Sequence, residues 1–361
     1  MSLCESCNRA KLVQIAKRLK IKISPNISKR QLCKMLNTIE QTESLSNLFE
    51  NLKLTPKINP VGLVTDKRMF QHKCDCTHYE QPTRLRAVLQ ALKELPLVRL
   101  ASHIATDAEL ANCHDVATIL SQIRQLSNNI FSQGDMYAVP EKTENAARLA
   151  AGCSIQLVRD ILSGSIESGF AAVRPPGHHS HYDQISSFCF FNNALLAAVE
   201  ASKSEKVLLV DFDVHYGDGT ANILKTHLKQ NKNIAYVSLH RYDDAEYYPT
   251  TGHSGTYLDG RLLSIAHNGG QDDDYYENAF ELEVIPFAKK FETTFIVVSA
   301  GFDAAKNDPL GESFVTPDGY RNMIRQLQLI SRKIALILEG GYDLSAISAS
   351  ACACVEVLLY N

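Results

Sequence analysis

Short apolar runs recur along the chain from about residue 67, and most of them break into glycine, proline, histidine or aspartate at their ends. The runs that predict buried strands are GFAAVRPPG (169–177), KVLLVDFD (206–213), NIAYVSLH (233–240), TTFIVVSAGFD (293–303) and KIALILEGGYD (333–343). Apolar residues at helical spacing lie around and between these runs, at 143–163, 192–203, 219–229, 275–291 and 317–331. Apolar strands that alternate with helices predict a parallel sheet with helices on both faces. A ligand site in such a sheet lies beyond the carboxyl ends of its strands, where the polar clusters fall.

Residues 1–40 predict a small helical unit that is separate from the sheet. Apolar residues recur at helical spacing over residues 10–19 and again after Pro25. The pattern resembles SAP-type helix–loop–helix modules, which bind DNA, while a solubilising helical extension is the alternative interpretation. Residues 41–66 are polar and predict a linker, so the domain that contains the sheet is expected to span 67–361.

The composition is that of an ordinary globular protein, but the charge is uneven. The chain has 361 residues, 45% of them hydrophobic, which allows one large domain or two smaller ones. Residues 1–60 hold eleven Lys/Arg and four Asp/Glu, while the rest of the chain holds 26 and 36. A basic segment next to an acidic body predicts a separate partner for residues 1–40, and nucleic acid is the candidate.

Cysteine usage and hydropathy bear on the compartment. The ten cysteines are scattered, and the N-terminus has no signal-peptide pattern. We therefore expect reduced thiols in an intracellular protein, either cytoplasmic or nuclear. No apolar run reaches the length that crosses a membrane, so no membrane partner is expected.

Acidic residues and a histidine crowd the end of the apolar run 207–210. Burying several carboxylates there is costly unless a positive charge balances them, and a metal ion is the simplest candidate. One histidine and two carboxylates suit catalytic zinc, which keeps a position open for water and substrate. Asp213 and His215 lie two residues apart at one strand end, and Asp303 follows another strand, so these three fit best. The cluster after the run consists of Asp211, Asp213, His215 and Asp218.

The tandem His178-His179 follows Pro-Pro-Gly and is the second chemical signal. Two adjacent histidines make sense as a catalytic pair if a carboxylate orients each ring, and Asp211 and Asp218 are available for this. A histidine-rich surface loop is the alternative for this pair taken alone. The aspartate cluster and the Gly-Gly-Tyr that ends at Tyr342 favour the catalytic interpretation.

Several longer motifs resemble those of class II histone deacetylases, in particular the class IIb catalytic domains. The motifs are RPPGHH, FCFFNN, VDFDVHYGDGT, VSLHRYD, YYPTTG, VSAGFDAAKNDPLG and LILEGGYDLSAISAS. The similarity runs in unbroken order from about residue 78 to the end of the chain. It implies an arginase-like α/β fold with a mostly parallel sheet of eight strands, and zinc-dependent hydrolysis of acetyl-lysine.

Position by position, the resemblance implies a role for each residue of the site. The implied zinc ligands are Asp213, His215 and Asp303. The implied pairs of histidine and carboxylate are His178 with Asp211 and His179 with Asp218. Tyr342 matches the tyrosine that hydrogen-bonds the acetyl oxygen. The residues implied to bind substrate are Phe188, Tyr248, Leu310 and Gly341. A potassium ion is implied beneath the zinc, with the ligands Asp211, Asp213, His215, Ser238 and Leu239, partly through backbone carbonyls.

The implied reaction is hydrolysis of N-acetyl-lysine in proteins, histones among them, with a role in chromatin regulation. Zinc polarises the amide carbonyl and acidifies a water, His179 acts as general base and then general acid, and His178 gives electrostatic support. The first alternative is deacetylation of acetylated polyamines, but polyamine-selective relatives place a Glu where this chain has Leu310. The second is a non-catalytic acetyl-lysine-binding scaffold, but catalytically weak relatives carry His where this chain has Tyr342.

Three positions depart from the family pattern. Tyr216 stands where a second histidine often follows the ligand histidine. Ser187 replaces a common glycine, and Tyr79 replaces a usual proline. We expect activity to survive the change at Tyr216, because this residue lies outside the ligand set. Ser187 and Tyr79 lie at the expected rim of the tunnel, and Ser187 is expected to alter how the tunnel mouth contacts the substrate backbone.

Overall fold

The structure is a computed structural model that describes residues 16, 28, 59–74, 77–128, 136–139 and 141–360. Apart from Ala16 and Ser28, the predicted helical module of residues 1–40 lies outside the described residues, and so does its expected binding to nucleic acid. Residues Pro60–Leu358 form one compact unit, which contains the whole sheet. No helix within the described parts of the chain is both long and apolar enough to cross a membrane.

Nine strands form one sheet within the described residues, in the order β2-β1-β3-β9-β8-β4-β5-β7-β6. Every neighbouring pair is parallel except β6 with β7. The predicted parallel sheet is therefore confirmed, with one strand more than the eight expected. The strands are β1 Val61–Val64, β2 Val98–Arg99, β3 Ser168–Ala171, β4 Val207–Asp211, β5 Ile234–Arg241, β6 Gly255–Tyr257, β7 Leu262–His267, β8 Phe295–Ala300 and β9 Ile334–Leu338.

The central strands are buried along their whole length. Every residue of β4, β8 and β9 is buried, although neighbouring side chains of a strand point to opposite faces. Both faces of the sheet are therefore covered, as the apolar runs predict. The long helix Lys142–Leu162 and the helix Asn193–Ala201 pack against each other and against this sheet.

Most helices within the described residues lie in the connections between successive strands. Pro317–Leu327 shows how the sequence sets such a boundary, because the Thr316 side chain accepts a hydrogen bond from the Gly319 amide and Pro317 occupies the first turn. The helices are α1 Pro82–Ala91, α2 Asp107–Leu110, α3 Val116–Asn128, α4 Lys142–Leu162, α5 Asn193–Ala201, α6 Asp218–Thr226, α7 Asp273–Ala279, α8 Ile285–Lys290, α9 Pro317–Leu327 and α10 Leu344–Leu359. Phe280–Val284 is a π-helical turn between α7 and α8.

Two features differ from the sequence-based expectation. β1 lies inside the predicted linker of residues 41–66 and pairs with both β2 and β3, so the sheet begins before residue 67. The strand is only four residues long and follows a polar stretch, so its own pattern is weak. Cys74 is disulfide-bonded, against the expectation of reduced thiols. Within the residues that the structure describes, the free thiols are Cys113, Cys153, Cys189, Cys352 and Cys354.

Candidate active site

Four consecutive strands of the sheet, β3, β9, β8 and β4, bring the predicted chemical groups to one edge. The tandem histidines follow β3, Tyr342 follows β9, and Asp303 follows β8. Asp211 is the last residue of β4, and Asp213 and His215 come directly after it. Because parallel strands all end at the same edge, residues far apart in sequence meet there.

The candidate metal centre consists of Asp213, His215 and Asp303. One ligand atom from each residue lies within 4.8 Å of the others. His215 Nδ1 is 3.1 Å from Asp213 Oδ1 and 3.1 Å from Asp303 Oδ2. Ligand atoms about 2.1 Å from a tetrahedral zinc ion would be about 3.4 Å apart, so this spacing is close to that of a zinc site.

Backbone amides and glycines hold the two carboxylates in place. The Gly340 amide donates to Asp213 Oδ2 at 2.9 Å, and the Val214 amide donates to Asp303 Oδ1 at 2.8 Å. A Cβ at Gly301 would lie 2.0 Å from Asp213 Oδ2, and one at Gly340 would lie 2.3 Å from Asp303 Oδ2. Glycine is therefore required at both positions if the carboxylates are to keep this arrangement.

The charges at the candidate metal centre conflict with one another. Burial raises the pKa of Asp303 to about 7, and the negative charge of Asp213 adds to this. Burial opposes the charge of His215, but its hydrogen bonds to Asp213 and Asp303 prevail and raise its pKa to about 9. A divalent cation at the meeting point of these two fully buried carboxylates would offset their charge.

The tandem histidines are each paired with the carboxylate that the sequence predicts. His178 Nδ1 lies 3.2 Å from Asp211 Oδ2, and His179 Nδ1 lies 2.6 Å from Asp218 Oδ1. The other oxygen of Asp218 is 3.0 Å from His181 Nε2, so this carboxylate joins two histidines. In both pairs Nδ1 faces the paired carboxylate, and Nε2 of His178 also lies 3.8 Å from Asp213 Oδ1.

The two paired histidines differ in their electrostatics. Burial, together with the positive charge of His178, lowers the pKa of His179 to about 4, so this ring is neutral at pH 7. Burial opposes the charge of His178 as well, but the carboxylates of Asp213 and Asp211 prevail and raise its pKa above 6.5. At pH 7 the neutral His179 has an unprotonated ring nitrogen, which is the form that a general base needs.

A cavity of about 280 Å³ opens onto the tandem histidines and His215. Phe188 and Tyr248 line it with aromatic rings, and Leu310 adds an apolar side chain. Gly341 does not line the cavity, whereas its neighbour Gly340 does. The remaining lining residues are Pro176, His178, His179, Ser187, Cys189, His215, Tyr247 and Tyr342.

Tyr342 is held at the cavity by groups distant in sequence. Its backbone amide donates to Asp308 Oδ2 at 2.6 Å, so Asp308 supports the tyrosine and is not part of the candidate metal centre. The guanidinium of Arg84 lies 4.9 Å from the centre of the Tyr342 ring, and its Nε donates to the Gly341 carbonyl at 2.5 Å. Burial raises the pKa of Tyr342 well above 10, so its hydroxyl remains a donor.

The residues of the predicted potassium site lie on two neighbouring strands. Asp211 at the end of β4 is opposite Ser238 of β5, and Leu239 follows Ser238. All three residues are fully buried. The Asp213 amide donates to Asp211 Oδ1 at 3.1 Å, which links this pair of strand ends to the candidate metal centre.

Glu339 and Tyr247 are two residues of this region that the sequence did not predict. Glu339 follows β9, and its Oε2 accepts hydrogen bonds from the amides of Gly177 at 2.6 Å and His178 at 3.3 Å. Glu339 begins the motif EGGYD directly after an apolar run, and an acidic residue at that place could have indicated a site residue. Tyr247, whose hydroxyl lies 3.0 Å from His215 Nε2, carries no comparable local signal.

The three departures from the family pattern occupy distinct places. Tyr216 is buried, and its ring packs on His240 with 4.5 Å between the ring centroids. Ser187 lines the cavity. Tyr79 is exposed, and its ring centroid lies 6.1 Å from that of Tyr342. Ser187 and Tyr79 are therefore at the cavity or beside it, as expected.

Comparison with known proteins identifies the class to which this fold and site belong. The family model described as the histone deacetylase domain matches residues 78–358, and the chain therefore belongs to the histone deacetylase family. The relatives include class II-like members, so the family and the arginase-like fold predicted from the sequence are both confirmed.

Individual relatives give the extent of this similarity. Histone deacetylase 15 of Arabidopsis thaliana is 40% identical over 297 residues, which cover 78% of this chain and 53% of that protein. Histone deacetylase 9 of Homo sapiens is 33% identical over 348 residues, or 83% of this chain and 34% of that protein. The crystal structure of the HDA15 HD domain superposes with a TM-score of 0.76 at 38% identity, covering 82% of this chain and 90% of that one. The chain thus spans about half the length, or less, of these full-length relatives.

Proposed function

We propose that this protein is a zinc-dependent lysine deacetylase, which hydrolyses N-acetyl-lysine in an acetylated protein substrate such as a histone. The observation that carries the proposal is the meeting of Asp213, His215 and Asp303 next to a cavity that is lined by His215 and by two carboxylate-paired histidines. Membership of the histone deacetylase family supports the same chemistry.

The residues at the candidate metal centre fit zinc. One nitrogen and two carboxylate oxygens are the donor types of a three-ligand catalytic zinc site. The glycines at 301 and 340 leave room for the carboxylates, and His215 opens to the cavity where water and substrate would enter. When bound, zinc would polarise the amide carbonyl and acidify a water, which is its usual role in hydrolysis.

The paired histidines would move the protons. Asp218 holds Nδ1 of His179, so Nε2 faces the cavity and takes a proton from the attacking water. The same nitrogen then returns the proton to the leaving lysine amine. His178, held by Asp211, keeps a positive charge beside the negative charge that develops on the substrate.

Tyr342 and the aromatic walls would position the substrate. The Tyr342 hydroxyl stays protonated and would donate a hydrogen bond to the acetyl oxygen, where negative charge develops. Phe188 and Tyr248 provide apolar walls for the methylene stem of lysine. Leu310 provides no carboxylate for a second ammonium group, which favours a protein substrate over a polyamine.

A potassium ion beneath the metal centre is part of the proposal. Asp211 ends β4, Asp213 and His215 follow it, and Ser238 and Leu239 lie on the neighbouring β5; the first two are fully buried acids. With backbone carbonyls as the contribution of Asp213 and His215, a monovalent cation would offset this negative charge and leave their side chains to the zinc. Potassium and sodium buffers of equal ionic strength should then differ in their effect on turnover.

The decisive experiment measures acetate release from an acetyl-lysine peptide by the purified chain. We expect acetate release that a hydroxamate chelator blocks. Removal of the metal should also abolish the release, and added zinc should restore it. An acetylated polyamine of similar length is the matched comparison substrate. If only the polyamine is hydrolysed, the substrate class is acetylated polyamines and not acetylated proteins. If the peptide binds but is not hydrolysed, the result favours a non-catalytic scaffold.

A further inference from the structure

Both ring nitrogens of His215 have hydrogen-bonding partners. Its Nδ1 points between Asp213 and Asp303, and its Nε2 lies 3.0 Å from the Tyr247 hydroxyl. The same hydroxyl donates to the backbone carbonyl of Leu310 at 2.8 Å. A metal-binding histidine usually has its second nitrogen fixed in this way, because that contact sets the tautomer and the ring orientation.

Proton counting gives the direction of each bond. The carbonyl of Leu310 can only accept, so the single proton of the Tyr247 hydroxyl goes to it. The hydroxyl oxygen must then accept from His215 Nε2, which therefore carries a proton. Nδ1, which faces two carboxylates, would give up its own proton when a metal ion binds, while the proton on Nε2 stays; the unprotonated Nδ1 is then the ligand nitrogen.

Arg241 and His215 both pack against the Tyr247 ring. The Arg241 guanidinium lies 4.2 Å from the centre of the ring. Arg241 is itself bonded to Asp243 at 2.5 Å and to Glu312 at 2.8 Å. The His215 ring lies nearly parallel to the Tyr247 ring, with 14° between the planes and 5.2 Å between the centroids. The contact with Arg241, which does not involve the candidate metal centre, therefore helps to direct the hydroxyl at His215.

We propose that Tyr247 is a positioning residue, which presents Nδ1 of His215 to the metal through the hydrogen bonds from His215 Nε2 to its hydroxyl and from its hydroxyl to Leu310. This inference rests on the proposed function, since it concerns the zinc that the proposed reaction uses. Tyr247 acts through His215 and does not itself supply a ligand. Removing only the hydroxyl leaves the aromatic packing in place and frees the ring of His215 to turn.

The test compares zinc dissociation constants, measured by competition with a chromophoric chelator, for the unmodified chain, Tyr247→Phe and Tyr242→Phe. Tyr242 is the matched control because it lies in the same segment and undergoes the same loss of one oxygen. We expect Tyr247→Phe to weaken zinc binding about 10- to 100-fold and Tyr242→Phe to leave it unchanged. The thermal midpoints of the metal-free proteins, measured in parallel, should be alike.

A second measurement follows the ring proton of His215 directly. In the zinc-loaded chain with ¹⁵N-labelled histidine, the Nε2 proton of His215 should exchange slowly with water, and Tyr247→Phe should speed this exchange. The proposal is overturned if the zinc dissociation constant and the exchange rate are the same with and without the hydroxyl. It is also overturned if Tyr247→Phe fails to fold without metal, because the oxygen would then serve the fold. An unmodified chain that binds no zinc would instead contradict the proposed function.

Discussion

Gly301→Ala tests the steric basis of the candidate metal centre. The alanine Cβ would lie 2.0 Å from Oδ2 and 2.4 Å from Cγ of Asp213, where an undistorted contact needs more than 3.0 Å. Gly301 is not among the positive-φ glycines, so the backbone itself tolerates alanine. The Asp213 carboxylate, which the Gly340 amide holds at 2.9 Å, must therefore move by about 1 Å or more.

The size of the effect follows from that displacement. Metal–ligand distances are kept within about 0.2 Å in working sites, and a 1 Å misplacement at an active site costs about 100-fold in rate. We expect Gly301→Ala to raise the zinc dissociation constant and lower turnover of an acetyl-lysine peptide by at least about this factor. Chelator competition and acetate release measure the two quantities separately.

Gly164→Ala is the matched control for adding a methyl group. Gly164 has a φ of +76°, and an added Cβ would meet nothing within 4 Å. Alanine there should cost about 1–2 kcal/mol of stability through backbone strain and leave zinc affinity unchanged. The steric reasoning is refuted if Gly301→Ala binds zinc as tightly as the unmodified chain.

Three further predictions concern the paired groups and a buried histidine. Tyr342→Phe should lower kcat about 10²- to 10³-fold with peptide binding retained, because one oxyanion donor is lost; unchanged kcat contradicts this role. Asp218→Asn should lower kcat about 10- to 100-fold, since His179 loses the carboxylate that lies 2.6 Å from its Nδ1; titration calorimetry should show peptide affinity retained. Burial lowers the pKa of His114 from 6.5 to about 4. Below pH 6.5 the unfolded chain therefore binds more protons than the folded chain. The free energy of unfolding should fall as the pH drops from 6.5 towards 4. Thermal unfolding of His114→Gln should show a smaller loss of stability over this pH range than the unmodified chain does. An equal dependence of stability on pH would contradict the role of His114.

The sequence alone predicted the parts of the fold that depend on local pattern. β4, β8 and β9 are apolar throughout because both faces of the sheet are covered, and this pattern is visible without any tertiary information. Since parallel strands end at one edge, the acids and histidines that follow these strands were expected to meet. The pairing of His178 with Asp211 and of His179 with Asp218 needed the family resemblance as well.

Tertiary structure decided the contacts whose partners are distant in sequence and carry no pattern of their own. β1 is a strand because β2 and β3 pair with its backbone on either side, which a run of four residues cannot signal. Tyr247 belongs to the site because its hydroxyl reaches both His215 and Leu310. Periodicity and strand-end position are properties of a segment and can be seen in the sequence. The direction of one hydroxyl or guanidinium depends on how separate segments pack, and only the folded chain determines it.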